Sequence, residues 1–178
     1  MDSVRRAYDS VQQAWSGQRW ESWAETCAEG YRFDTGTGLR LDLAGTMAWS
    51  RAWFAAFPDY TEEIGAVHIG PVHAGSPGAG SENAGTGSGG TGTGVTDSGD
   101  DRPVGAKSVV AELIGEATSV NDFVLGGATL LPATGRRFRI AYAKVLVFDG
   151  DLRVVRDRQY QDRLDLYRQL GVPAAFGD

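Results

Sequence analysis

The chain has 178 residues, enough for one domain with a full hydrophobic core, and a formal net charge of -6. That acidic balance speaks against a nucleic-acid or anionic-membrane partner, and no apolar run approaches the roughly 20 residues of a membrane-spanning helix. Cys27 stands alone, which excludes an internal disulfide and a cysteine-based zinc site.

Val4, Tyr8, Val11 and Trp15 recur at helical spacing and predict an amphipathic first helix that Gly17 ends. The N-terminal MDSVRRAYDSV lacks the apolar stretch of a secretory leader, so a cytoplasmic protein is expected. A second helical stretch carries Trp20, Trp23, Ala24 and Cys27 on one face and stops near Gly30. Tyr31–Asp34 alternates like a short strand before the turn residues Gly36 and Gly38. Asp42 is placed to N-cap a third helix with the stripe Leu43, Met47, Ser50, Phe54 and Phe57, and Pro58 marks its end. All five Trp precede Phe54, so the helical half supplies much of the aromatic bulk.

Strands are expected over 60–72 and 108–117. Between them, residues 74–106 are about one-third glycine, with Ser, Thr and Asp supplying most of the rest. Such a segment buries too little apolar surface to offset its ordering entropy and is expected to be a disordered surface loop, with a partner-binding role as the competing reading. It lacks the G-x-x-x-x-G-K-[ST] order of a phosphate loop. Farther on, Phe138, Ile140, Tyr142, Leu146 and Phe148 fall at period two and predict a strand with one buried face. Asp149-Gly150 is the signature of a two-residue hairpin turn. A second strand through Leu152 and Val154 then gives way to charge at Arg156, Asp157, Arg158, Asp162 and Arg163, ahead of a short closing helix.

The run P-x-T-G-R-R, the alternating strand, D-G, R-D, Y-x-D and R-Q-L-G (Pro132 to Gly171) resembles the C-terminal half of the SnoaL-like polyketide cyclases of the NTF2-like superfamily. Ala56-Phe57-Pro58-Asp59 and the helix–strand–helix order before it are similar to the N-terminal half. The resemblance covers the chain apart from 74–106. It implies an α+β fold: a cone-shaped barrel in which a strongly curved mixed or antiparallel sheet wraps around the N-terminal helices and leaves an internal pocket. It also implies cofactor-independent aldol cyclisation or proton transfer on a small hydrophobic carbonyl compound, and a homodimer.

In that family a catalytic aspartate stands in an R-D pair after the D-G turn, which places Asp157 first. Counting back from Gln169-Leu170-Gly171 instead puts Gln159 at that position. Asp162 matches a second family aspartate. The competing roles are a surface ion pair with Arg156 or Arg158 for Asp157, and an N-cap of the last helix for Asp162. Trp15, Asp34, Tyr142 and Tyr160 complete the candidate substrate-binding set, with core packing the competing role for Trp15 and turn capping for Asp34. The family histidine on the strand before D-G is matched by Ala143. Lys144 reads as an edge charge that discourages sheet aggregation or as a polar group in a dimer interface. Arg136, Arg137 and Arg139 read as a solvated strand face, and His68 and His73 as loop-end surface residues and a poor metal site. No metal or organic cofactor is expected. Besides the cyclase-type enzyme, the readings are a non-catalytic binding protein, a dimerisation module and an epoxide-hydrolase-like enzyme using Arg156, Asp157 and Asp162.

Overall fold

The computed structural model describes residues 2–35, 38–71 and 106–173. The disorder expected for 74–106 concerns residues that, Ala106 aside, lie outside this set, as does His73. The chain is α+β: helices α1 (Asp2–Ser16), α2 (Trp20–Glu25), α3 (Leu43–Ala56) and α4 (Arg163–Leu170) accompany strands β1 (Cys27–Asp34), β2 (Arg40–Leu41), β3 (Thr61–Pro71), β4 (Lys107–Thr118), β5 (Phe123–Leu125), β6 (Ala128–Leu131), β7 (Arg137–Phe148) and β8 (Val154–Gln161).

Six strands form one sheet in the order β2-β1-β8-β7-β4-β3, antiparallel except for the parallel β1–β8 pair. Its two edge strands, β2 and β3, do not pair with each other. The sheet is therefore open, where a closed and strongly curved barrel was expected. Strands β5 and β6 pair separately.

One face of the sheet carries the core. Val109, Ala111, Leu113 and Ala117 of β4 stand beside Leu146, Lys144, Tyr142 and Phe138 of β7, and all eight are buried. Period two explains both rows, since alternate residues of a strand share a face. Helix α1 closes over β3 and β4 with Val4, Tyr8, Val11 and Trp15, and α3 lies over β1 with Ser50, Trp53 and Phe54. The Asp42 carboxylate accepts the Gly45 N–H at 2.8 Å, an N-cap worth about 1 kcal/mol. Trp53 stacks on Trp49 at 5.3 Å and meets Phe57 at 4.5 Å, and Phe57 meets Phe138 at 5.1 Å, so the helix–sheet seam is largely aromatic.

Two local expectations change. The second helix is shorter: Thr26 caps α2, and Cys27 already opens β1, because its burial is met by pairing with Val154. The Asp149-Gly150 hairpin exists, but its turn runs from Asp149 to Arg153. The Asp149 carboxylate accepts the N–H groups of Asp151 and Arg153, and the left-handed residue is Leu152 at φ 63°. An aspartate that bonds its own downstream backbone substitutes for the tight primed turn.

Beyond Gln161 strand β8 ends, and α4 takes its place along β7. The Gln169 amide there accepts the Arg139 N–H at 2.8 Å and donates to the Arg139 carbonyl at 3.0 Å, doing what a neighbouring strand would do.

Candidate functional site

The β7–β8 ladder determines which way Asp157 faces. Phe148 pairs with Val154 but Val147 pairs with Arg156, so Val155 is an extra residue opposite that step. A bulge of this kind shifts the alternation by one. Without it, Val154 and Asp157, three residues apart, would face opposite sides of the sheet. With it, both face the core, at 1 % and 5 % exposure. Asp157 is thereby turned to the core, away from the surface position that an ion pair with Arg156 or Arg158 would need.

Asp157 lies between Phe33 of β1 and Leu146 of β7. Its Oδ2 accepts the Tyr31 hydroxyl at a long 3.5 Å, and its Oδ1 has no hydrogen-bond partner. Burial raises its pKa to about 6; the Lys144 charge and the Tyr31 hydroxyl pull it down, and the Glu62 charge adds to the rise. Burial also holds the Tyr31 phenol well above its ordinary value, so it stays a donor.

Next along the same face stands Lys144, 2 % exposed. Strand β7 is flanked by β4 and β8, so Lys144 is neither an edge charge nor a group on an outer dimer face. Its ammonium donates to Gln12 Oε1 at 3.1 Å and lies 5.1 Å from the centre of the Trp15 ring. Gln12 in turn donates to Glu62 Oε2 at 3.2 Å. Glu62 Oε1 also accepts the hydroxyls of Tyr60, at 3.1 Å, and of Tyr142. Trp15 is held by its indole N–H, which donates to Ser50 at 3.0 Å. The arrangement is thus a polar row in which Asp157, Lys144 and Gln12 are buried and Glu62 is half-buried, bordered by Trp15 and Tyr60 of an aromatic cluster that includes Trp53 and Phe54.

Of the residues singled out from the sequence, Asp157, Trp15 and Tyr142 come together here. Asp162 does not: it is exposed and accepts the Asp165 N–H at 3.0 Å as the N-cap of α4. Tyr160 is 49 % exposed and pairs with Ala143 on the outer face. Asp34 also faces outward, next to the inward Phe33, with Arg40 at 3.9 Å. Ala143 shares that outer face, so no side chain at 143 would reach Asp157; the cation on the site's side is Lys144. Gln159, opposite Lys144 and half-buried, joins the edge of the row. Arg137 and Arg139 are exposed and pair with Glu116 at 3.0 Å and Glu63 at 3.8 Å, Arg136 is exposed, and His68 is exposed on β3.

Sequence reasoning missed Gln12, Glu62, Tyr31 and Tyr60. Gln12 carried a signal, a polar residue four after Tyr8 inside an apolar stripe. Glu62 carried none, since β3 is an edge strand with weak alternation. Among the described residues no group of three His, Cys, Asp or Glu side chains gathers as a metal site.

No protein-family model and no curated protein matches the chain. Solved structures do. TsrD from Streptomyces laurentii is 18% identical with a TM-score of 0.62, over 97% of this chain and 98% of that one. A Jannaschia sp. CCS1 protein assigned as a SnoaL-like polyketide cyclase is 14% identical with a TM-score of 0.63, over 95% and 94%. An epoxide hydrolase of M. tuberculosis described as LEH-like is 13% identical with a TM-score of 0.56, over 96% and 86%. At such identities the likeness establishes the fold: the chain has the NTF2-like α+β fold that SnoaL-like cyclases share.

Proposed function

We propose that the chain is a cofactor-independent enzyme of the cyclase or isomerase type, in which Asp157 moves a proton on a small hydrophobic carbonyl compound held between the inner sheet face and helices α1 and α3. The observation that carries this reading is the buried carboxylate itself. Its Oδ1 is unpartnered and its pKa is raised to about 6. An acid–base group works best when its pKa approaches the operating pH, and desolvation is how a carboxyl gets there. Trp15, Tyr60 and Tyr142 supply the apolar and hydroxyl surface that such a substrate needs. Cyclase descriptions among the structures of the same fold support the reaction class.

The epoxide-hydrolase reading has less support. Asp162 is exposed and capping, so the Arg156–Asp157–Asp162 set does not assemble around one substrate. A homodimer and a cytoplasmic location belong to the proposal. The outer sheet face, with Val110 at 36 % and Tyr160 at 49 % exposure, is the surface on which a second copy would pack, and sedimentation showing monomer alone would remove the dimer.

The reading is tested by a thermal-shift screen of hydrophobic carbonyl compounds, polyketide methyl esters included, on wild type and Asp157→Asn in parallel. A ligand that binds only the folded protein raises its melting temperature. Binding by both proteins with conversion by wild type alone makes Asp157 catalytic. Binding by both with conversion by neither leaves a binding protein in a cyclase fold.

A further inference from the structure

Lys144 is a buried cation that is held in no ion pair among the described residues, although the buried Asp157 carboxylate shares its sheet face and feels its charge. Its ammonium has three protons to donate, one of which goes to the neutral Gln12 carbonyl, and its other neighbour is the π-face of Trp15. No carboxylate lies within ion-pair distance of it among the described residues. The nearby Glu62 is already engaged by Gln12, Tyr60 and Tyr142. That engagement orients the Gln12 amide: its NH2 is committed to Glu62, so its oxygen points to Lys144. Burying an ammonium in this way is costly, and a methionine or leucine of similar size would avoid that cost. Packing alone gives no reason for a lysine on the central strand.

Lys144 and Asp157 share one sheet face. Asp157 pairs with Leu146, two residues from Lys144, so the two are diagonal neighbours with about 7–8 Å between their backbones. Each has hydrogen-bonding capacity left over, in opposite senses. The ammonium can donate and Oδ1 can accept.

We infer that Lys144 is a second catalytic residue, the donor that receives the negative charge of the reacting oxygen, and that the substrate is an enolisable carbonyl compound with its oxygen on Lys144 and its acidic carbon on Asp157. This deepens the acid–base reading of Asp157 and rests on it. The Asp157 carboxylate takes the proton from the carbon beside the carbonyl. The C–H electron pair becomes the C=C of the enolate, and the oxygen takes the charge and accepts a hydrogen bond from the Lys144 ammonium. In a cyclisation the enolate carbon then attacks a second carbonyl of the same molecule. The new C–C bond leaves an alkoxide, which takes the proton from Asp157. No electron acceptor and no further reactant enters. A preorganised donor aimed at a developing oxyanion in a dry site is worth roughly 100-fold or more in rate.

Phenols of graded acidity are the probe, because a phenolate reproduces the oxygen charge of an enolate without reacting. They are titrated into the Asp157→Asn protein, which removes both turnover and the repelling carboxylate, and the ionised form is read by its ultraviolet absorbance. The expected result is binding as phenolate, tighter as the phenol becomes more acidic. In Asp157→Asn/Lys144→Met the phenolate signature is lost and affinity falls roughly 100-fold, while Arg137→Met, an exposed charge control, changes neither. If the Lys144→Met protein does not fold, Lys144→Gln answers the same question. Neutral phenol bound without regard to acidity, an unchanged phenolate signal after Lys144 is replaced, or no phenol binding overturns the inference. Turnover surviving Asp157→Asn would instead overturn the acid–base reading, so the two failures are told apart.

Discussion

Replacing Asp157 by Asn tests the electrostatics of the site without any knowledge of the substrate. Its carboxyl moves from the ordinary 3.8 to about 6 on folding, because burial outweighs the opposing Lys144 charge and Tyr31 hydroxyl. A carboxyl whose native pKa lies above its unfolded value binds more protons when folded. Its protonated form is therefore no burden below about pH 4, and stability is lost as pH rises from there through about 6. The full span corresponds to about 3 kcal/mol. Asn has nearly the shape of the protonated acid and cannot ionise, so it removes the pH-dependent part and leaves the neutral packing. Wild type and variant are to be unfolded in urea at pH values from about 4 to 8, with the groups facing Asp157 being Tyr31 on β1, Lys144 on β7 and Glu62 on β3. The variant should gain on wild type steadily up to about pH 6 and hold a lead of about 3 kcal/mol above it. A difference that stays flat across this range, or that reverses so that Asn is the less stable at neutral pH, would refute the claim that Asp157 is buried against its own ionisation.

Asp162→Ala should cost about 1 kcal/mol by removing the cap on α4, with turnover by the Asp157 site retained; kinetics on a found substrate beside a melting curve checks both. The Cys27 thiol, pushed up to about 12 mainly by burial, should resist a disulfide-exchange reagent at mildly alkaline pH and react fully once the chain is unfolded. Gly115→Ala would set a methyl 2.5 Å from the Tyr60 hydroxyl and should cost about 1–3 kcal/mol while weakening ligand binding, since Tyr60 must leave Glu62; chemical denaturation and the thermal-shift hits measure the two effects.

Much of the fold was legible because its signals are local. The stripe Val4, Tyr8, Val11 and Trp15, the capping aspartates Asp42 and Asp162, Pro58, and the alternation from Phe138 to Phe148 each follow from a rule that one segment obeys by itself. Cys27 escaped the rules because helical spacing and strand burial both suit a small apolar residue, and only the pairing with Val154 decides between them. Even the Asp149-Gly150 signal, right about the hairpin, was wrong about the turn, since the Asp149 side chain offered the backbone a different set of bonds.

The candidate site was partly legible for a different reason. A motif can name Asp157, but facing is a property of register, and register belongs to a pair of strands. Simple alternation from Val154 turns Asp157 to the solvent side, beside nothing that would raise its pKa. The single extra residue, Val155, turns it to the core, and the same ladder sets Ala143 outward and Lys144 inward. The absent histidine at 143 and the lysine in the interior are therefore one fact about the β7 face. Counting residues along the motif made them look like a lost group and an unrelated edge charge. Gln12 and Glu62 then follow from Lys144 alone: a buried ammonium needs an oriented acceptor, the acceptor's amide needs a fixed partner, and α1 and β3 are the elements close enough to supply them.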